Sequence, residues 1–239
     1  MTRQLLGVLS ACTIGAGALG AQVGYDPARS PFRDLDFSQE LTFYSGYFKA
    51  KKDPAQVAPR SGPVAGVHYE WRAGGPVAIT ADLSRLATDR RVLDPEAPAF
   101  CNGDSTRSCK IIDDYRWPLY FADLGMALNL TGARSFYRLA PQLKGGIGLV
   151  SDFHTKADVG DFSFGTRFAF HWGAGVAWVP GRSLQLRLDF MNHLYSLKYP
   201  ELYYQPAEDD SRILSSGRDR SVWLNNPSLT LGLSYSFSR

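Results

Sequence analysis

Three of the four histidines, His68, His171 and His193, stand in segments whose alternate residues are apolar, and imidazoles are the first place to look for chemistry. Two imidazoles on adjacent strands can ligate a metal or titrate near neutral pH. A hairpin closed by Pro180-Gly-Arg-Ser183 sets His171 directly or diagonally across from His193. Their plainer role is that of interior polar residues satisfied by Asp189, Tyr195 or water. A second arrangement, Asn192-His193-Leu194-Tyr195-Ser196, offers a base and a hydroxyl three residues apart. On a strand that spacing puts them on opposite faces, so the imidazole cannot activate the hydroxyl without a bulge. Cys101 and Cys109 are read as a small disulfide loop in an exported chain, and a metal site is the weaker reading because no His or further Cys lies nearby. Gly145-Gly-Ile-Gly148 imitates a phosphate loop, but no helix follows it, and small residues in a narrow wall explain it better. Asn129-Leu-Thr131 is only a formal glycosylation triplet. No catalytic set, metal or cofactor is expected.

The elements that carry these residues are strands. From Leu229 to Phe237 every odd position is apolar or aromatic and every even one small or polar, a pattern of period two. The other end reads as a secretory leader: one Arg in Met1 to Gln4, an apolar or small run from Leu5 to Leu19, and a cleavage site at Ala18-Leu-Gly-Ala21. Leu9-Ser-Ala-Cys12 matches a lipoprotein cleavage box, but the apolar run continues past it, so Cys12 is read as part of the leader. No later segment approaches the length of a transmembrane helix, so membrane residence requires a barrel. A net charge of +3 gives no ground for binding nucleic acid.

Eight alternating runs are expected: Phe37–Lys49, Val64–Ala73, Val77–Leu86, Leu119–Leu130, Tyr137–Val150, Phe164–Val179, Leu184–Tyr195 and Ser228–Phe237. Tight connections at Gly74-Gly75-Pro76, Thr131–Phe136 and Pro180–Ser183 alternate with long polar ones at Ala50–Pro63, Ala87–Pro118, Ser151–Ser163 and Ser196–Pro227. Short turns at one end and long loops at the other mark an outer-membrane barrel with both termini in the periplasm. In the sixth run Phe164, Phe168, Phe170, Trp172, Ala174, Val176 and Trp178 share one uncharged face, against Arg167, His171 and small residues on the other. A soluble barrel would bury the Leu- and Phe-rich face instead, and alternation alone does not say which side is in. Aromatic residues near strand ends, Trp71, Tyr137, Trp178, Tyr235 and Phe237, favour interfacial girdles.

With the apolar face outward, the lumen carries Glu40, Glu70, Asp82, Asp123 and Asp189 against Arg72, Arg138, Lys144, Arg167 and Arg187, a balance of five and five. Buried charge needs such pairing, and an eight-stranded bore is narrow enough for side chains to fill. Hairpin geometry places Asp123 opposite Lys144 and His68 near Asp82. The expectation is a plugged lumen with no wide pore.

On these grounds the chain resembles the small eight-stranded outer-membrane proteins of the protein A transmembrane-domain, X and W types, over roughly Phe37 to Arg239. The expected fold class is therefore an all-β, antiparallel, eight-stranded transmembrane barrel with short periplasmic turns and long extracellular loops. Leu231, Leu233, Tyr235 and Phe237 look like the terminal signal read by the barrel-assembly machinery, although Ser238 and Arg239 follow the aromatic residue that usually ends it. The expected organisation is a leader over 1–21, a periplasmic tail over 22–36 and the barrel over 37–239. Membrane lipid and lipopolysaccharide are the expected surroundings, and the long loops suit a structural or surface-interaction role with an extracellular ligand left open. A conduit for small or hydrophobic solutes is the alternative, and a lipid-modifying enzyme comes third.

Overall fold

The computed structural model describes residues 30–101, 108–181 and 183–237. The expected leader, Cys12, the tail as far as residue 29, and Ser238 and Arg239 lie outside the described residues. The chain divides after Pro31, and the account below concerns the unit Phe32–Arg239.

Its strands in chain order are β1 (Phe32–Asp34), β2 (Gln39–Phe48), β3 (Gly62–Gly74), β4 (Val77–Leu86), β5 (Asp89–Leu93), β6 (Ile111–Arg116), β7 (Leu119–Asn129), β8 (Arg134–Phe136), β9 (Leu139–Ser151), β10 (Thr166–Trp178), β11 (Leu184–Lys198) and β12 (Ser221–Phe237). Eight of them, β2, β3, β4, β7, β9, β10, β11 and β12, pair in that order, all antiparallel. The ring closes where β12 meets β2, from Ser228 against Phe48 to Phe237 against Gln39. Gly74 and Gly75 make the β3–β4 turn at φ values of 143° and 59°, which residues with a Cβ rarely adopt.

Which face points inward is settled by the side chains. Phe43, Leu83, Leu124 and Leu231 are 60 to 65% exposed, whereas Glu40, Glu70 and Arg187 are 1 to 2% exposed. A barrel that buries its charges and bares a continuous band of Leu and Phe has its apolar solvent on the outside.

Two strand ends depart from the pattern. Tyr137 and Arg138 have φ of 48° and 67°, so β9 starts at Leu139 and the connection from β7 runs from Leu130 to Arg138. Within it β8 pairs with β1, Phe32 lying against Phe136. The longer connection moves the register by four residues, so Asp123 stands opposite Gly148, and Lys144 opposite Ala127. The expected Asp123–Lys144 hairpin pair does not form. In the sixth run Gly165, at φ 61°, ends the alternation, and Phe164 turns into the interior with no exposed surface instead of facing lipid.

Candidate functional site: the barrel interior and its cap

The lower interior is organised by Arg187 of β11. Its Nη1 donates to Glu40 Oε1 of β2 at 2.6 Å and to Glu70 Oε2 of β3 at 3.0 Å, and its Nη2 donates to Gln142 Oε1 of β9. Gln142 Nε2 donates back to Glu70 Oε1 at 3.2 Å. Lys144 Nζ lies 2.6 Å from Asp189 Oδ1. One guanidinium thus ties three other strands across the bore, using the planar fork that lets Arg serve several acceptors.

Above it lies a layer built on two carboxylates. Tyr44 donates to Asp82 Oδ1 at 2.6 Å, and His68, directly across the β3–β4 pair, has Nδ1 3.4 Å from Asp82 Oδ2. His193 Nε2 is 3.1 Å from Asp123 Oδ2, and His171, directly opposite His193, has Nδ1 3.6 Å from Asp123 Oδ1. A cavity of about 50 Å³ lies among these groups, next to Met191 and Thr230, with room for a few waters. The run Gly145 to Gly148 belongs to this layer. A Cβ on Gly146 would come within 2.8 Å of the His171 ring, and one on Gly148 would collide with the Asp123 carboxylate.

The top of the interior is apolar. Phe48, Leu86, Leu119, Phe121, Val150, Tyr195 and Leu224 ring the mouth, and Val57, Phe162, Tyr203 and Leu214 from the long connections pack onto them. Two buried carboxylates hold this cap. Asp158 accepts from Arg90 Nη1 at 2.8 Å and from the Phe162 amide at 2.9 Å, while Arg90 lies 4.9 Å from the Trp117 ring and 5.0 Å from Phe162. Asp53 accepts from the Ala58 amide and the Tyr199 hydroxyl, each at 2.8 Å. Burial, with the Asp53 charge beside it, holds the Tyr199 phenol well above its ordinary range. Lys110 Nζ donates to the carbonyls of Pro95 and Ala97 at 3.0 and 2.8 Å, tying the stretch before Cys101 to the residue after Cys109. Cys101 and Cys109 are bonded, their Cα atoms 5.0 Å apart.

The residues singled out in the sequence divide accordingly. Glu40, Glu70, Asp82, Asp123, Asp189, Arg72, Lys144 and Arg187 face the interior, with His68, His171 and His193 among them. Arg72 sits at the lower end, its guanidinium 4.1 Å from the Phe37 ring. Arg138 does not belong to this set: it is exposed in the left-handed turn before β9. Arg167 is at the upper rim and donates to the carbonyls of Phe164 and Ser163, so it neutralises no lumen carboxylate. The balance of five and five therefore fails among the described residues. Leu231, Leu233, Tyr235 and Phe237 lie on the exposed face of β12. The cap residues Asp53, Arg90 and Asp158 had no signal beyond being charged residues in polar loops.

A closed antiparallel barrel of eight strands, polar within and banded with apolar side chains without, is an integral outer-membrane barrel. No family model matches the chain, and no curated protein matches it. Among solved structures it is similar to the Neisserial surface protein A, at 12% identity over 83% of this chain and 97% of that one, with a TM-score of 0.50. Weaker likenesses are to the outer membrane protein OprG of Pseudomonas aeruginosa (10% identity, 85% and 98% covered, TM-score 0.46) and to the attachment invasion locus protein of Yersinia pestis (13% identity, 85% and 100% covered, TM-score 0.39). The likeness to the Neisserial protein concerns the fold, and the lipid-facing band is this chain's own.

Proposed function

We propose that the protein is a closed, non-conducting and non-enzymatic outer-membrane barrel whose rigid cap is its working surface, in a structural or surface-interaction role. The observation that carries this reading is the apolar core at the mouth, where side chains from the long connections seal a bore already crossed by Arg187. A conduit would have to displace both, and the space between them is only about 50 Å³. His193 lines that space, whereas Ser196 lies three residues on, paired with Trp223, so the pair stays on opposite faces of β11. Lipid and lipopolysaccharide cover the outer band, and the assembly machinery reads the outward side of β12. Planar-bilayer recording tests the proposal: the closed reading expects no stable pore-like current, and a steady conductance would put the conduit in its place.

A further inference from the structure

The interior has more negative than positive charge. Glu40, Glu70, Asp82, Asp123 and Asp189 face it together with only Arg72, Lys144 and Arg187, because Arg138 and Arg167 lie elsewhere. Two of these five carboxylates therefore lack a fixed cation. Arg187 is committed to Glu40 and Glu70, Lys144 to Asp189, and Arg72 approaches Glu70, which leaves Asp82 and Asp123 as the two. Each is the one that faces histidine: His68 at Asp82, and His171 and His193 at Asp123. Asp123 Oδ1, His171 Nδ1, His193 Nδ1 and His68 Nε2 are buried without a hydrogen-bond partner.

An uncompensated charge where water is scarce is removed by proton uptake when a titratable group is at hand. We infer that the barrel interior is a proton-binding site which holds two protons at neutral pH, one in the Asp82–His68 pair and one in the His171–Asp123–His193 cluster. The groups facing the clusters are accounted for around the whole ring. β2 presents the Tyr44 hydroxyl, already given to Asp82; β3 presents Glu70, whose Oε2 lies 4.0 Å from His68 Nε2 and which Arg187 already holds; β4 presents the hydroxyls of Thr80 and Ser84; β9 presents Lys144 and β11 Asp189, which satisfy each other, with Arg187 Nε 3.7 Å from Asp189; and β12 presents the hydroxyls of Ser228 and Thr230. The unfolded chain, with its carboxylates and imidazoles in water, does not keep these two protons above about pH 7.5. A folded state that binds more protons than the unfolded one loses stability as pH rises. The inference leans on the closed-lumen reading only in needing little water around the clusters.

The test is equilibrium urea unfolding of the full chain in neutral phospholipid vesicles, followed by tryptophan fluorescence. From about pH 7.5 upward, until the folded barrel itself releases the protons, the unfolding constant of the wild type is expected to rise by up to about a hundredfold per pH unit, as two protons require. Asp123→Asn removes one excess charge and lowers the slope to about tenfold, and Asp82→Asn with Asp123→Asn makes the profile flat. A flat wild-type profile, a double variant that keeps the wild-type slope, or a barrel stabilised by added zinc and weakened by a chelator would overturn the inference. If the double variant does not assemble, the wild type decides alone. Imidazole ¹⁵N and carboxyl ¹³C shifts at pH 7.5 must then show two protons beyond neutral rings and ionised carboxylates, and their absence would overturn it equally. A steady current with the pH slope intact sinks only the closed-lumen reading, whereas a silent barrel with a flat profile sinks only this one.

Discussion

Arg90 and Asp158 meet at 2.8 Å inside the cap, 68 residues apart in the chain and both almost without solvent. The pair joins the second long connection to the third, and the Trp117 and Phe162 rings close over the guanidinium. A polar contact of this kind fixes how two loops sit on an apolar mouth that would otherwise accept many packings.

Replacing the cation while keeping an apolar stem, as in Arg90→Met, strands Asp158 in the cap. Asp158 retains the amides of Gly160 and Phe162, so the expected cost is about 2 to 3 kcal/mol, below that of a fully stranded charge. Protease added to outer-membrane vesicles should cut the long connections faster in the variant, while unboiled protein still runs as the compact, fast-migrating barrel. Equal cleavage rates would mean that the pair does not hold the cap.

Arg187→Met should be the most damaging single change in the lumen, because it leaves Glu40 and Glu70 facing each other without their shared donor. A loss of roughly 3 to 5 kcal/mol is expected in urea titrations. Adding Glu40→Gln and Glu70→Gln removes the stranded charges and should restore most of the loss, a non-additivity characteristic of coupled groups. If the triple variant is as unstable as the single one, repulsion between the acids is not the cause.

On the outer face, Phe170→Arg and Leu231→Arg each place a charge in the lipid band, at a cost of about 2 to 4 kcal/mol near mid-depth. Both should accumulate unassembled, detected as loss of the fast-migrating band. Thr230→Asn, one residue from Leu231 but facing the buried side, should assemble. Assembly of both arginine variants would contradict the facing of β10 and β12.

Cys101→Ser with Cys109→Ser opens a short loop high in the cap. The chain-entropy estimate for so small a loop is about 2 to 3 kcal/mol, felt locally. Migration of the barrel should be unchanged, and an unreduced digest of the wild type should contain the two linked peptides. Two freely alkylated thiols in the wild type would refute the bond.

The barrel was legible because period-two alternation needs no knowledge of partners. β4 begins and ends where its pattern does, and the interior facing of Glu40, Asp82, Asp123 and Arg187 followed from parity alone. Parity fails where the chain leaves the pleat. Tyr137 and Arg138 enter the left-handed region with nothing in their side chains to signal it, which shifted the β7–β9 register and carried Arg138 out of the lumen. The cap was illegible for another reason. Val57, Phe162 and Tyr203 belong to three separate connections with no alternating pattern, and only the closed ring brings them together. Lys144 shows both limits at once: its inward facing was readable, but its partner, Asp189 instead of Asp123, depended on a register that no local pattern sets.

The apolar cluster over the mouth gives the two ends of the molecule different responses to cooling. Its residues leave water when the chain folds, so its stability carries the positive heat-capacity change of hydration and weakens toward low temperature. The outer band of the strands stays in hydrocarbon when the cap alone opens, so it adds no such term to that local step. One polypeptide is therefore stabilised by the rules of a water-soluble protein above the membrane surface and by those of a lipid-solvated one below it, and cold acts first on the part that faces the medium.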